Sequence, residues 1–121
     1  MSNTPARSRL VTILSAVVAL AFVGAAIPKL MGAEHMVSTF ERFGLSLNFL
    51  RFIGVAELAG AVGLFLPRLA PLAAGGLAVV VAGAVAEHLM HDPVAQAVAP
   101  AVLLVLCVFL AYSRGHEMET R

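Results

Sequence analysis

Cysteine, tryptophan and charge are what this 121-residue chain has least of. Its single cysteine, Cys107, excludes an intramolecular disulfide and dithiol exchange within one chain. Set in an apolar run, Cys107 reads as a small packing residue. Charged residues make up 12% of the chain against 60% hydrophobic, with a mean hydropathy of +0.95. That balance leaves too little polar surface for a soluble domain and places the chain among integral membrane proteins. The formal charge of +1 comes without a basic patch, which excludes nucleic acid as a partner. Long polar loops are missing too. At roughly 20 residues per span there is room for about four spans and no separate soluble domain, so residues 1–121 are expected to form one integral membrane domain in contact with the lipid bilayer.

The spans follow from the apolar runs and their punctuation, and fall at about residues 10–30, 49–66, 69–89 and 94–112. Arg7 and Arg9 precede the first run, which is long for the core of a secretory signal even though Val23 and Ala25 offer a weak cleavage pattern. Pro28 and Lys29 mark its end and Gly32 closes it. From Glu34 to Phe43 the apolar residues Met36, Val37, Phe40 and Phe43 recur at three- and four-residue steps, the period of an amphipathic helix. Too short to span, this segment is expected flat in the membrane interface or as a connector over the mouth of the bundle. Pro67 and Arg68 form a tight hairpin, and Pro71 suits the first turn of the third span. That span carries Ala74, Ala78, Ala82 and Ala86 at four-residue steps beside Gly75, Gly76 and Gly83, which reads as a close-packing stripe. Asp92-Pro93 reads as a helix N-cap followed by proline at the first helical position. Pro100 is expected to bend the fourth span, and the tail from Ser113 to Arg121 to fray.

With an even number of spans both termini share one side. Arg7, Arg9, Arg68, Arg114 and Arg121 then stand together against Lys29, Arg42 and Arg51, and the positive-inside rule makes the termini cytoplasmic.

Glu57 sits near the middle of the second span, where an ionisable group costs on the order of 3 kcal/mol on insertion scales and is turned inward and partnered. Its neighbours at helical steps are Ile53, Gly54, Gly60 and Ala61, a mostly small face that packs inward. Lys29, Arg51, Glu87, His88 and His91 all lie toward the same outer side as candidate members of one polar cluster with Glu57. Two readings are open: Glu57 pairs with Lys29 to hold the bundle in register, or it handles protons or a ligand. His88 and His91, three apart at a helix end, are set for one ion only if further ligands join them. Glu34 and His35 lie on another segment, and no metal is expected. Nothing resembles a nucleotide loop, a nucleophile elbow or a haem attachment motif.

In chain order, Arg9, Pro28-Lys29-Leu30, Gly44-Leu45, Gly54-Val55-Ala56-Glu57-Leu58-Ala59-Gly60 and Arg68 resemble the DoxX-like family of small four-helix membrane proteins. The resemblance implies a four-helix bundle in a bacterial or archaeal cytoplasmic (inner) membrane. Members have been linked to quinone-coupled thiosulfate oxidation and to membrane oxidoreductase complexes, and related bundles act as assembly chaperones. The lone Cys107 departs from related bundles that use cysteine pairs.

The expectation is an all-α, four-transmembrane-helix bundle with a short interfacial helix between the first and second spans. Its expected role is a small accessory or scaffolding subunit of a larger, redox, membrane complex, beside other subunits or copies of itself. One alternative is a quinone- or lipid-binding oxidoreductase subunit using Glu57 with Lys29 or His88. Another is a small proton-coupled transporter.

Overall fold

Glycine in the left-handed region ends two of the helices that shape this molecule, in a computed structural model that describes residues 5–119, and side chains over 6–116. The first helix, α1 (Pro5–Met31), runs through Pro28 and stops at Gly32, whose φ is +67°. There the amide of Ala33 donates to Pro28 O at 2.9 Å and that of Gly32 to Lys29 O at 3.3 Å, the paired bonds that satisfy the last carbonyls of a helix. The short α2 (Glu34–Arg42) ends the same way at Gly44 (φ +79°), with Leu45 N donating to Phe40 O and Gly44 N to Glu41 O. Ser46 then caps α3 (Leu47–Gly63) by accepting from the amide of Phe49 at 3.1 Å. The axis bends by 114° between α2 and α3, so α2 lies across the mouth of the bundle.

A tight turn leads into α4 (Ala70–His91), with Pro71 in its first turn as expected, and a 3-10 turn (Val94–Ala97) leads into α5 (Val98–Glu119). Around the bundle α1 packs on α3 and α5, and α4 packs on the same two helices. Among the described residues all the long elements are helices. Three of them, with bounds Ala6–Met31, Ala70–His91 and Val94–His116, are long and apolar enough to cross a membrane. At 17 residues α3 is the short one.

Burial follows the helical period. On α1 the buried positions are Val11, Ser15, Val18, Ala19, Phe22 and Ala26; on α3 they are Leu50, Gly54, Glu57, Ala61 and Gly63, followed by the buried C-cap Leu64. Leu77, Val81, Cys107 and Leu110 complete the core from α4 and α5. Leu20, Leu72, Val79 and Val105 are among the large apolar residues left outside, as expected where lipid is the solvent.

Four expectations need correction. Asp92 is the C-cap of α4 and caps no amide of the following turn, because its carboxylate is drawn to Arg42 and His88. Pro100 is the third residue of α5, where a missing amide matters little. The chain changes from 3-10 to α-helix just before it, in place of a bend within the span. The tail does not fray at Ser113: α5 continues to Glu119, held by Ser113 and Arg114, while Arg121 lies outside the described residues. The alanine stripe is only partly internal, since Ala74 is buried but Ala82 and Ala86 are exposed. A strict four-residue step drifts around a 3.6-residue helix, and the buried set on α4 is Ala70, Ala74, Leu77 and Val81. Close approach comes from α3 instead. A Cβ on Gly60 would stand 2.6 Å from Leu77 Cδ2, and one on Gly63 2.8 Å from Ala73 Cβ, whereas Gly75, Gly76 and Gly83 face nothing within 4 Å.

At the end of the bundle opposite α2, Arg114 reaches inward. Its Nη1 donates to Ser15 Oγ at 2.9 Å and to Leu64 O at 3.1 Å, the C-cap carbonyl of α3. Arg7 Nη2 donates to the buried Ser113 Oγ at 3.4 Å. These arginines tie α1, α3 and α5 together at that end.

Candidate site in the mouth of the bundle

Gly54 is where the site begins. A Cβ there would stand 3.1 Å from the side chains of Lys29 and Leu30, so its absence lets the end of α1 lie against α3. One turn further along α3, Glu57 receives Lys29: the ammonium Nζ is 2.9 Å from Glu57 Oε1, with the two side chains only 12% and 6% exposed. Lys29 Nζ also donates to Ala25 O at 3.2 Å. Two charges taken this far out of water are held chiefly by mutual attraction, for Glu57 Oε1 has no well-aligned hydrogen-bond donor. The expected pair therefore exists, and it sits on the wall of a cavity.

That cavity has a volume of about 430 Å³ and lies between α2, α3 and α4, within the range of about 300 to 1,000 Å³ usual for small-molecule sites. Its walls are mostly apolar. Phe40 and Phe43 come from the inner face of α2 and its end, Phe49 and Phe52 from the first turns of α3, and Val80 and Ala84 from α4. The rings form a chain, with centroids 6.3 Å apart for Phe40 and Phe43, 6.4 Å for Phe40 and Phe49, and 6.2 Å for Phe49 and Phe52. Polar side chains enter this lining at Lys29, Thr39, Glu57, Glu87 and His88. An apolar cavity with a few convergent polar groups is the usual form of a binding site.

A bridge of charge joins α2 to the end of α4 beside the cavity residues Phe43 and His88. Asp92 accepts from Arg42 through Oδ1 and meets His88 Nδ1 at 2.7 Å through Oδ2. Arg42 also lies over the Phe43 ring, 5.2 Å from its centroid, a favourable cation–π distance. Phe43 in turn packs edge-on to His88 at 5.4 Å and tilted against His91 at 5.3 Å. The end of α2 is thus fastened to the end of α4.

Of the six residues that the sequence groups together, the fold brings Lys29, Glu57, Glu87 and His88 to one cavity. Arg51 stays apart: it is exposed, and its guanidinium lies beside Gly32, 3.4 Å from where a Cβ would stand. His91 also lies outside the cavity lining and turns back to Glu87, with Nδ1 3.1 Å from the backbone oxygen and 3.4 Å from Oε2. The two histidines do not converge on one point, since His88 is committed to Asp92. No group of three or more metal-ligating residues occurs among the described residues. Sequence reasoning missed Asp92 and Arg42 as a bridge, being fifty positions apart, and missed Phe49 and Phe52 as wall residues. Their three-residue spacing on one face of α3 was the available signal.

The sequence profile of the DoxX-like family matches residues 13–110, which takes in Lys29, Glu57, Glu87 and His88. No curated protein and no solved structure matches the chain.

Proposed function

Because the chain belongs to the DoxX-like family and is a multi-pass membrane protein, we propose that it binds a lipophilic ligand of the quinone class in the bundle mouth, as an accessory subunit of a larger redox complex. The observation that carries this reading is the 430 Å³ cavity with aromatic walls and the buried Lys29–Glu57 pair on its lining. The residues fit such a ligand. A flat ring and its apolar tail would lie among Phe40, Phe43, Phe49 and Phe52, and an oxygen on the ring would face Lys29 and Glu57. Bound quinone supplies two-electron, two-proton chemistry. The chain's part is to hold the ring, to shield it from water beneath α2, and to present a carboxylate that can take or release a proton. No haem motif and no dithiol gives the chain an electron path of its own, which favours work beside a partner subunit. The arginine bias favours both termini in the cytoplasm of a bacterial or archaeal cell, which would open the cavity toward the outer face of its inner membrane.

The test is ligand analysis of the protein isolated from its own membranes. Extraction should yield quinone in excess of that in empty micelles, and a short-chain quinone should saturate the stripped protein. Glu57→Gln keeps shape and removes the charge; it should lower the unfolding temperature by leaving Lys29 unpaired, and the folded molecules should bind the quinone more weakly. Failure of the wild-type protein to bind any quinone or quinol above the micelle background would overturn the reading. A reporter active only outside the cytoplasm, fused after Arg121, should be silent.

A further inference from the structure

The polar groups that α2 and α4 contribute to the cavity are acceptors. Glu87 Oε2 is buried and accepts no hydrogen bond. His91 has one Nδ1 proton to offer, and the Glu87 backbone oxygen, at 3.1 Å, is closer than Oε2, at 3.4 Å. His88 directs its Nδ1 at Asp92 Oδ2, 2.7 Å away. The other oxygen of Asp92 is held by Arg42, and the neutral imidazole that donates to Asp92 from Nδ1 is the Nδ1–H tautomer. That tautomer leaves His88 Nε2 as an acceptor. Thr39 spends its hydroxyl proton on His35 O at 2.7 Å, which leaves its oxygen lone pairs.

We infer that the cavity selects ligands that donate hydrogen bonds, so that it holds the hydroxyl-bearing quinol form of a ring in preference to the carbonyl-bearing quinone. The inference rests on the quinone-class reading above and adds to it the redox form that is retained. A ring hydroxyl set against the accessible part of Glu87, whose side chain is 28% exposed, donates to its carboxylate, and such a hydrogen bond is among the stronger ones. A ring carbonyl at the same place faces lone pairs with lone pairs, and neither partner gains a hydrogen bond. Lys29 does not set the balance: its ammonium has one proton beyond those facing Glu57 and Ala25 O, and a quinol hydroxyl oxygen accepts that proton as a ring carbonyl does.

Three ligands sharing one ring separate the possibilities: a short-chain quinone, its quinol kept reduced by dithionite without oxygen, and the quinol's dimethyl ether, which has neither hydroxyl nor carbonyl. Equilibrium binding is measured on the purified full-length chain in detergent, against empty micelles. The quinol should bind about tenfold or more tightly than the quinone and the ether. In Glu87→Gln, whose amide can also donate, the ratio of quinol to quinone should fall toward one. The inference is overturned, with the quinone-class reading intact, if the wild type binds quinone as tightly as quinol or if the preference survives in a folded Glu87→Gln. If Glu87→Gln does not fold, the comparison of quinol with ether in the wild type decides, and equal affinities overturn it. Absence of binding by all three overturns the quinone-class reading and the preference together.

Discussion

Lys29 meets Glu57 at 2.9 Å because Gly54 has no side chain to hold α1 and α3 apart. The pair depends on both members, since either charge alone would be buried without compensation. Lys29→Met and Glu57→Leu should each destabilise the protein by about 3 kcal/mol, while the double variant should come close to the wild type. Thermal unfolding in detergent measures this. A double variant as unstable as the worse single one would show that the charges do not act on each other.

Gly60 carries the contact between α3 and α4. Gly60→Ala should cost about 1–3 kcal/mol through overpacking against Leu77, and Leu77→Ala in the same chain should recover part of it. Gly76→Ala, where a Cβ meets nothing within 4 Å, should be neutral or slightly stabilising. Equal losses at Gly60 and Gly76 would mean that the helices pack in another register.

Ala74 and Ala82 divide the alanine stripe between core and surroundings. Ala74→Leu should lower the unfolding temperature and the yield of folded protein, because the site is 0% exposed. Ala82→Leu should be tolerated by the isolated chain. Should Ala82→Leu instead disrupt co-purification with a larger assembly, that face of α4 packs against a partner.

Arg42 fastens α2 over the cavity from a half-exposed position. Arg42→Ala should speed ligand uptake and release by about threefold to fivefold, in keeping with the modest worth of an accessible ion pair, and should change the equilibrium affinity little. Stopped-flow quenching with a fluorescent quinone analogue reads both rates. Unchanged rates would place the way in between α3 and α4 rather than under α2.

Much of this was legible in the sequence because membrane helices are written in long apolar runs and their ends in proline and glycine. Gly32, Pro71 and the inward face of Glu57 all stand where those signals put them. The stripe at Ala82 and Ala86 is exposed in the single chain: small residues report that close approach is allowed without naming the helix, or the copy, that approaches. Asp92 misled because before a proline it carries the same signal as an N-cap, and only the fold brings Arg42 within reach. The cavity joins side chains from α1, α2, α3 and α4, a juxtaposition that local periodicity does not encode.

Helix α3 has 17 residues where α1 has 27. At 1.5 Å per residue α3 spans about 26 Å, short of a hydrocarbon core about 30 Å thick. A span this short is met by thinning of the bilayer beside it or by flanking side chains that reach for the interface, at a fraction of a kcal/mol for each ångström of mismatch. The expected consequence is a headgroup layer that dips on that flank, toward Phe49 and Phe52. A membrane of thin composition suits this protein, and in a thick one neighbouring proteins with the same dip are drawn together along the α3 side.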